Sequence, residues 1–225
     1  MDWQALILTL KLDLVVCGLL ILIGVPIAFW LAFWNWRWKF LVEAVVALPL
    51  VLPPTVLGFY ILLALGPRSP LGKLYERLWG HGLPFTFEGL VVASVIYSLP
   101  FMVQPVAAAF AAVDRKLLSA SAVLGASRVR TFVKVVLPLS VSGLLTGLVL
   151  TFAHTLGEFG VVLMVGGNIP GATRTVSISI YDNVQSLDFA SAGQTSLVLL
   201  AASFIILSIV YGLNRTQPLL GLTKR

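Results

Sequence analysis

Residues Ser119–Pro138 read Ser-Ala-Ser-Ala-Val-Leu-Gly-Ala-Ser-Arg-Val-Arg-Thr-Phe-Val-Lys-Val-Val-Leu-Pro. This is the longest small, basic and amphipathic segment of a chain that is otherwise nearly all hydrocarbon. It lies between two apolar runs long enough to cross a bilayer, so it must be a loop exposed at one membrane face. Its composition predicts a small-residue helix over Ser119–Leu124, a breaker at Gly125, a second helix carrying Arg128, Arg130 and Lys134, and a stop at Leu137–Pro138. Glycine frees the backbone to turn, and proline cannot donate into a helix. A helix–turn–helix with a shallow cationic surface is suited to docking on another protein. A membrane chain that devotes its main polar element to docking is expected to be powered or regulated by its partner.

Working outward, the intervals Leu14–Trp36, Ala44–Pro67, Gly89–Val113, Val135–Gly157 and Phe189–Asn214 each lack Asp, Glu, Lys and Arg over 23 residues or more. A hydrocarbon core of about 30 Å needs roughly 20 helical residues, and in lipid the backbone must satisfy itself within each segment. The expected fold is all-α integral membrane: five transmembrane helices, a cytosolic coupling loop, and one domain over 1–225. The composition agrees, with 59% hydrophobic residues, 11% charged residues and a mean hydropathy of +1.00. The first run is read as a retained span. It is too long for a signal-peptide core, and only Lys11 precedes it. The lone Cys17 sits inside an apolar run and offers neither a disulfide framework nor a thiolate metal site.

Orientation follows from counting cations. With five spans, the loops at 37–43 and 114–134 and the tail at 215–225 share one side and hold ten of the fifteen Lys and Arg residues. The positive-inside bias puts these in the cytosol, the N-terminus outside and the C-terminus inside. Trp30, Trp34, Trp36 and Trp38 gather near the inner end of the first span, as an interfacial aromatic belt does. The net charge of +6 is thus explained by topology, and nucleic acid is not an expected partner.

Catalytic constellations fail on inspection. Gly66–Lys73 has five residues between its glycines where a phosphate loop has four, and Leu74 replaces the magnesium-binding hydroxyl. It reads as an external turn. His154 and Glu158 share a helical face, but no second histidine completes a zinc site. No catalytic residue, cofactor or metal is expected, and energy is not harvested on this chain.

Other residues bear on a pathway. Pro49, Pro53 and Pro54 each remove a backbone donor inside the second span and bend it, either as a packing kink or as a hinge and pathway wall. Glu158 lies where the fourth span continues apolar through Phe159–Val165. A buried carboxylate at bilayer depth costs roughly 2.5–3.5 kcal/mol, so it faces a bundle interior or water. It is read either as a gate or structural polar group, or as a plain interface residue. As an anion it would repel an anionic solute, and His154, one turn earlier, is read as its hydrogen-bond partner rather than a ligand. Gly143 and Gly147 form a small-residue packing motif, read as intrachain.

The loop around Gly125 resembles the EAA loop of ABC-importer permease subunits, with Ala120, Gly125, Val135, Leu137 and Pro138 at the matching positions. Ser119 stands in place of the usual glutamate and Ser121 in place of the second alanine. Within that family the chain is most similar to the molybdate permeases. The resemblance is carried by Trp3–Leu6 with Leu10–Lys11, by Leu48–Gly58, by Leu156–Gly160 and by Gly167–Thr175. Sulfate permeases share the layout, so the same machine carrying sulfate or tungstate is the alternative. A proton-coupled carrier or a membrane anchor is the alternative from another class.

The resemblance implies a homodimer forming the pathway, two cytosolic ATPases, and a periplasmic or lipid-anchored oxyanion-binding protein, all at the cell membrane. It assigns Ala120, Ser121, Leu124, Gly125, Ala126, Ser127, Arg128, Arg130, Leu137 and Pro138 to the ATPase-coupling loop. Pro53, Pro54, Thr55, His154, Glu158, Phe159 and Gly160 become pathway or gate candidates. Asn168, Pro170 and Arg174 fall in a loop facing the binding protein.

Overall fold

The computed structural model describes residues 2–34 and 36–216, which are helical with no strand among them. α1 (Trp3–Phe33) starts where Asp2 accepts from the backbone N–H of Ala5 at 3.0 Å. At 1.5 Å per residue it is about 46 Å long, well beyond the hydrocarbon thickness. It therefore begins before the expected Leu14, and Lys11 and Asp13 lie inside it. Lys11 rests over the Phe87 ring at 4.5 Å, whereas Asp13 is fully buried and finds no hydrogen-bond partner among the described residues.

α1 packs along α5 (Phe87–Ala111), and α5 packs along α9 (Val141–Leu156). Leu12, Val16, Leu20 and Ala28 of α1 meet Leu90, Met102, Val103, Val106 and Phe110 of α5 in the main core, all fully buried. Small residues set the close approaches. A Cβ on Gly143 would collide with Ala109 and lie 2.9 Å from the Pro105 carbonyl oxygen. One on Gly147 would lie 3.1 Å from the Met102 carbonyl oxygen. The Gly143–Gly147 motif is therefore an intrachain α5–α9 seam.

The second apolar interval is not one kinked helix. α2 (Lys39–Val51) and α3 (Pro54–Leu65) meet at 116° across Leu52–Pro53. A residue preceding proline avoids the helical region, and here two consecutive residues do so. Leu52 and Pro53 both have ψ 137. Pro49, with no proline after it, stays inside α2. The pair still travels along α5. Lys39, Glu43 and Val46 line a cleft with Gln104, Ala107 and Ala111, while Leu57, Ile61 and Leu65 cluster with Leu83 and Ala93 near the other end of α5.

The fourth interval is also corrected. Arg128–Leu139 lies at 69° to α9, so the crossing helix starts at Val141 rather than Val135. Nor does the helix stop at Leu137–Pro138. α7 (Arg128–Thr131) widens into a π-turn over Phe132–Val136, continues as α8 (Leu137–Leu139), and ends at Ser140. The Leu137 N–H reaches back five residues to Phe132. That wider turn accommodates Pro138, whose ring would otherwise press on the preceding turn.

Three helices are each long and apolar enough to cross a membrane: α1, α5 and the start of α12 (Phe189–Thr216). Counting each bent pair as one span brings the number to as many as five. Two further helices were not foreseen, α4 (Pro70–Trp79) and α11 (Val176–Gln185). Gly66–Lys73 does make a turn, and its Ser69 caps α4 through the Gly72 N–H at 2.8 Å. The cationic tail residues Lys224 and Arg225 lie outside the described residues.

Candidate functional site: an exposed basic loop and a buried carboxylate

At the Phe33 end of the bundle, α6 (Arg115–Val123) is capped by Asp114, which accepts from the Lys116 N–H at 2.8 Å. The helix ends in a Schellman arrangement. The Gly125 N–H donates to Ala122 and the Ala126 N–H to Ser121, at 3.0 and 3.1 Å. Gly125 has φ +72, the left-handed conformation this motif requires. Ser127 then caps α7 by accepting from the Arg130 N–H at 3.3 Å. The Ser121 and Thr131 hydroxyls are 2.8 Å apart and tie the two helices together, so Ser121 is a pin between them.

Neither α6 nor α7 buries a single residue. Ala120, Arg128 and Arg130 are exposed, and the apolar Val123, Leu124 and Val129 are 88%, 86% and 73% exposed. Contiguous apolar side chains left open beside cations mark a surface suited to a protein or a membrane. The loop is nevertheless wired to the bundle. Phe132 packs edge-on against Phe29 and Phe110, with ring centroids 5.0 and 5.8 Å away. Phe132, directly after α7, thus puts the loop in contact with α1 and α5.

At the other end of α9 the chain breaks at Gly157–Phe159 before α10 (Gly160–Gly166). Glu158 is buried, and its Oε1 accepts from the Val161 N–H at 2.7 Å, capping α10. His154 is not its partner. The His154 Nδ1 pairs with the Ser98 hydroxyl at 3.0 Å, and its ring stacks on Phe101 at 4.0 Å. Ser98 also meets the Thr155 hydroxyl at 2.9 Å. The i,i+4 spacing of His154 and Glu158 misled because α9 ends before Glu158, which breaks the shared helical face.

Gly160 sits where a Cβ would be 2.6 Å from the Pro54 Cβ, so α10 begins directly against the break between α2 and α3. Pro54, Glu158 and Gly160 thus converge, and Phe159 beside them packs on Tyr181 at 4.9 Å. Pro53 and Thr55 lie exposed alongside. The structure brings these candidates together and leaves His154 on the neighbouring α5–α9 seam.

The Gly167–Thr175 loop is held rigidly. The Thr173 hydroxyl donates to the Gly166 carbonyl at 2.6 Å and accepts from the Ile169 N–H at 3.2 Å. Arg174 donates to Asn168 at 2.6 Å and pairs with Asp182 at 3.3 Å and Asp2 at 3.9 Å. Its guanidinium ties this loop to α11 and to the start of α1, while Asn168 and Pro170 stay exposed. The Asp2–Arg174 contact joins residues about three quarters of the chain apart and leaves no local sequence signal. Neither does the Ser98 partnership of His154. The aromatic wiring was half visible, as Phe29 and Phe33 at i,i+4.

A model of the binding-protein-dependent transport system inner membrane component matches residues 24–216. The molybdenum transport system permease protein ModB of Azotobacter vinelandii is 50% identical over 214 residues, covering 95% of each chain. ModB of Escherichia coli K12 is 35% identical, covering 93% of this chain and 91% of that one. The fold matches a bacterial alginate ABC transporter crystallised with its alginate pentasaccharide-bound periplasmic protein. The TM-score is 0.74 at 18% identity, over 95% of this chain and 78% of that one.

Proposed function

This chain belongs to the family of binding-protein-dependent transport system inner membrane components, and on that premise we propose that it is the membrane permease of an ATP-driven molybdate importer. The molybdenum assignment rests on the identity to ModB proteins along nearly the whole chain. The observation that carries the mechanism is the exposed loop 114–139, apolar and cationic at once, joined to the bundle through Phe132.

In this reading the described residues form a single five-span domain, with the N-terminus outside and the Phe33 end in the cytosol. Two copies form the pathway. Two cytosolic ATPases seat the Gly125 loops, and a soluble oxyanion-binding protein docks at the Trp3 end near Asn168 and Pro170. The permease hydrolyses no ATP itself. ATP binding draws the ATPases together, and each loop passes the movement through Phe132 into α1 and α5. The pathway shifts between inward and outward access because ATP binds one arrangement better than the other. The break at Leu52–Pro53, abutting Gly160 and the Glu158 cap, is the hinge at which the bundle halves move.

The test is uptake of radiolabelled molybdate into proteoliposomes holding this chain and its ATPase. ATP is supplied at the ATPase face and loaded binding protein at the other. Uptake that needs both, and that sulfate competes for only weakly, is the expected result. Uptake indifferent to ATP but driven by a proton gradient would replace this reading with a secondary carrier.

A further inference from the structure

α4 is accounted for by neither the pathway nor the docking loop. At 100° per residue its side chains fall into three sectors roughly a third of a turn apart. One faces the protein: a Cβ on Gly72 would collide with the Gly66 carbonyl, and Tyr75 packs on the cluster formed by Leu57, Ile61 and Leu65. A second, with Lys73, Glu76 and Arg77, is polar and exposed. The third carries Leu71, Leu74 and Leu78, exposed by 60%, 55% and 64%. Trp79 falls within the protein-facing sector, yet is exposed, and stacks flat on Tyr75 at 4.7 Å.

The helix is also placed abruptly. Ser69 caps it, Pro70 occupies its first turn and Gly80, with φ +77, closes it. It follows the end of α3 after the short Gly66–Ser69 turn, at the end of the second charge-free apolar interval. A leucine stripe facing water there would be unfavourable. A helix with one apolar side, one cationic side and flanking aromatics matches the boundary between acyl chains and headgroups. Arg68, Lys73 and Arg77 outnumber Glu76 around it, and that excess complements headgroup phosphates.

We propose that α4 lies in the membrane interface at the Trp3 end, with Leu71, Leu74 and Leu78 among phospholipid acyl chains and Arg68, Lys73 and Arg77 at the phosphates. The inference rests on the membrane reading of the chain and not on which solute is carried.

The test uses spin labels on Leu74→Cys, Leu78→Cys and Lys73→Cys in a Cys17→Ala background. The full permease–ATPase complex is placed in nanodiscs of phosphatidylethanolamine and phosphatidylglycerol. Leu22→Cys, on the exposed lipid-facing side of α1, is the reference. Labels at 74 and 78 should favour oxygen over a water-soluble nickel chelate several-fold more than the label at 73, approaching the label at 22. Nickel access at 74 and 78 equal to that at 73 would overturn the proposal and favour a landing surface for the soluble binding protein. Shielding from both reagents would overturn it in favour of a second copy covering the stripe. A water-exposed label at 22 would instead overturn the membrane reading, and this inference with it.

Discussion

The two ends of the bundle are built on opposite terms. At the Phe33 end, α6 and α7 bury no residue and hold together by a Schellman turn, two caps and one hydroxyl pair. At the Trp3 end, α10 buries Val161, Val162, Val165 and Gly166, and an internal carboxylate caps it. A clamp of one carboxamide and two carboxylates on Arg174 then fastens the following loop. The first region leaves its apolar side chains open, whereas the second buries most of its own. Substitutions at the second should therefore cost stability, and substitutions at the first should cost partnership.

The largest stability loss is expected where backbones touch. Gly143→Leu forces a side chain against Ala109 and the Pro105 carbonyl, where neither neighbour can retreat. Overpacking of this kind costs about 3 kcal/mol, and thermal unfolding in detergent should show a markedly lower midpoint. If Gly143→Leu melts like the parent, the α5–α9 seam is wrong.

A step lower comes the Glu158 cap. Glu158→Ala leaves the buried Val161 N–H without its acceptor, a loss of about 1–3 kcal/mol. Glu158→Gln keeps an acceptor oxygen and should recover most of that stability. Equal damage from both variants would mean that charge, and not capping, is what the site needs. Arg174→Ala comes next. Its ion pairs are partly exposed, so each contributes about 0–1 kcal/mol and the loss should shrink in high salt.

What was legible in the sequence divides along the same line. The loop was readable because its signals are local, Gly125 as the terminator and arginines on the polar face, although its first helix starts after the Asp114 cap rather than at Ser119. α4 carries local signals of the same kind, since Ser69, Pro70 and Gly80 mark both its ends. Charge-free intervals found where the hydrocarbon lies but not how the chain crosses it. The Pro53–Pro54 pair breaks a helix that a single proline would only kink, and Pro138 is absorbed by a π-turn instead of ending one. Interval counting also left Asp13 outside the first span, while the helix carries it into the core. The contacts that fasten the Trp3 end and the α5–α9 seam, Asp2 with Arg174 and Ser98 with His154, join residues far apart in sequence. No window along the chain reveals them.

At the Phe33 end the smallest effects fall on the cations. Arg128→Glu and Arg130→Glu should leave the unfolding midpoint unchanged, because both side chains are exposed. Association with the ATPase should weaken modestly and in a salt-dependent way, each exposed pair being worth about 0–1 kcal/mol. Affinity that falls equally at low and high salt would point to packing rather than charge.

Gly125→Val tests most directly whether this loop couples the permease to its ATPase. No atom lies within 4 Å of a Cβ at this position, so the substitution creates no clash inside the chain. Its φ of +72 costs a non-glycine residue about 1–2 kcal/mol, enough to unseat the Schellman turn. Since α6 and α7 bury nothing, that strain loosens the loop without unfolding the bundle. Co-purification of the ATPase with Gly125→Val permease, measured beside its thermal midpoint, should show association lost and the midpoint nearly unchanged. Full ATPase association with an unchanged midpoint would contradict the account, and the segment would be an ordinary loop.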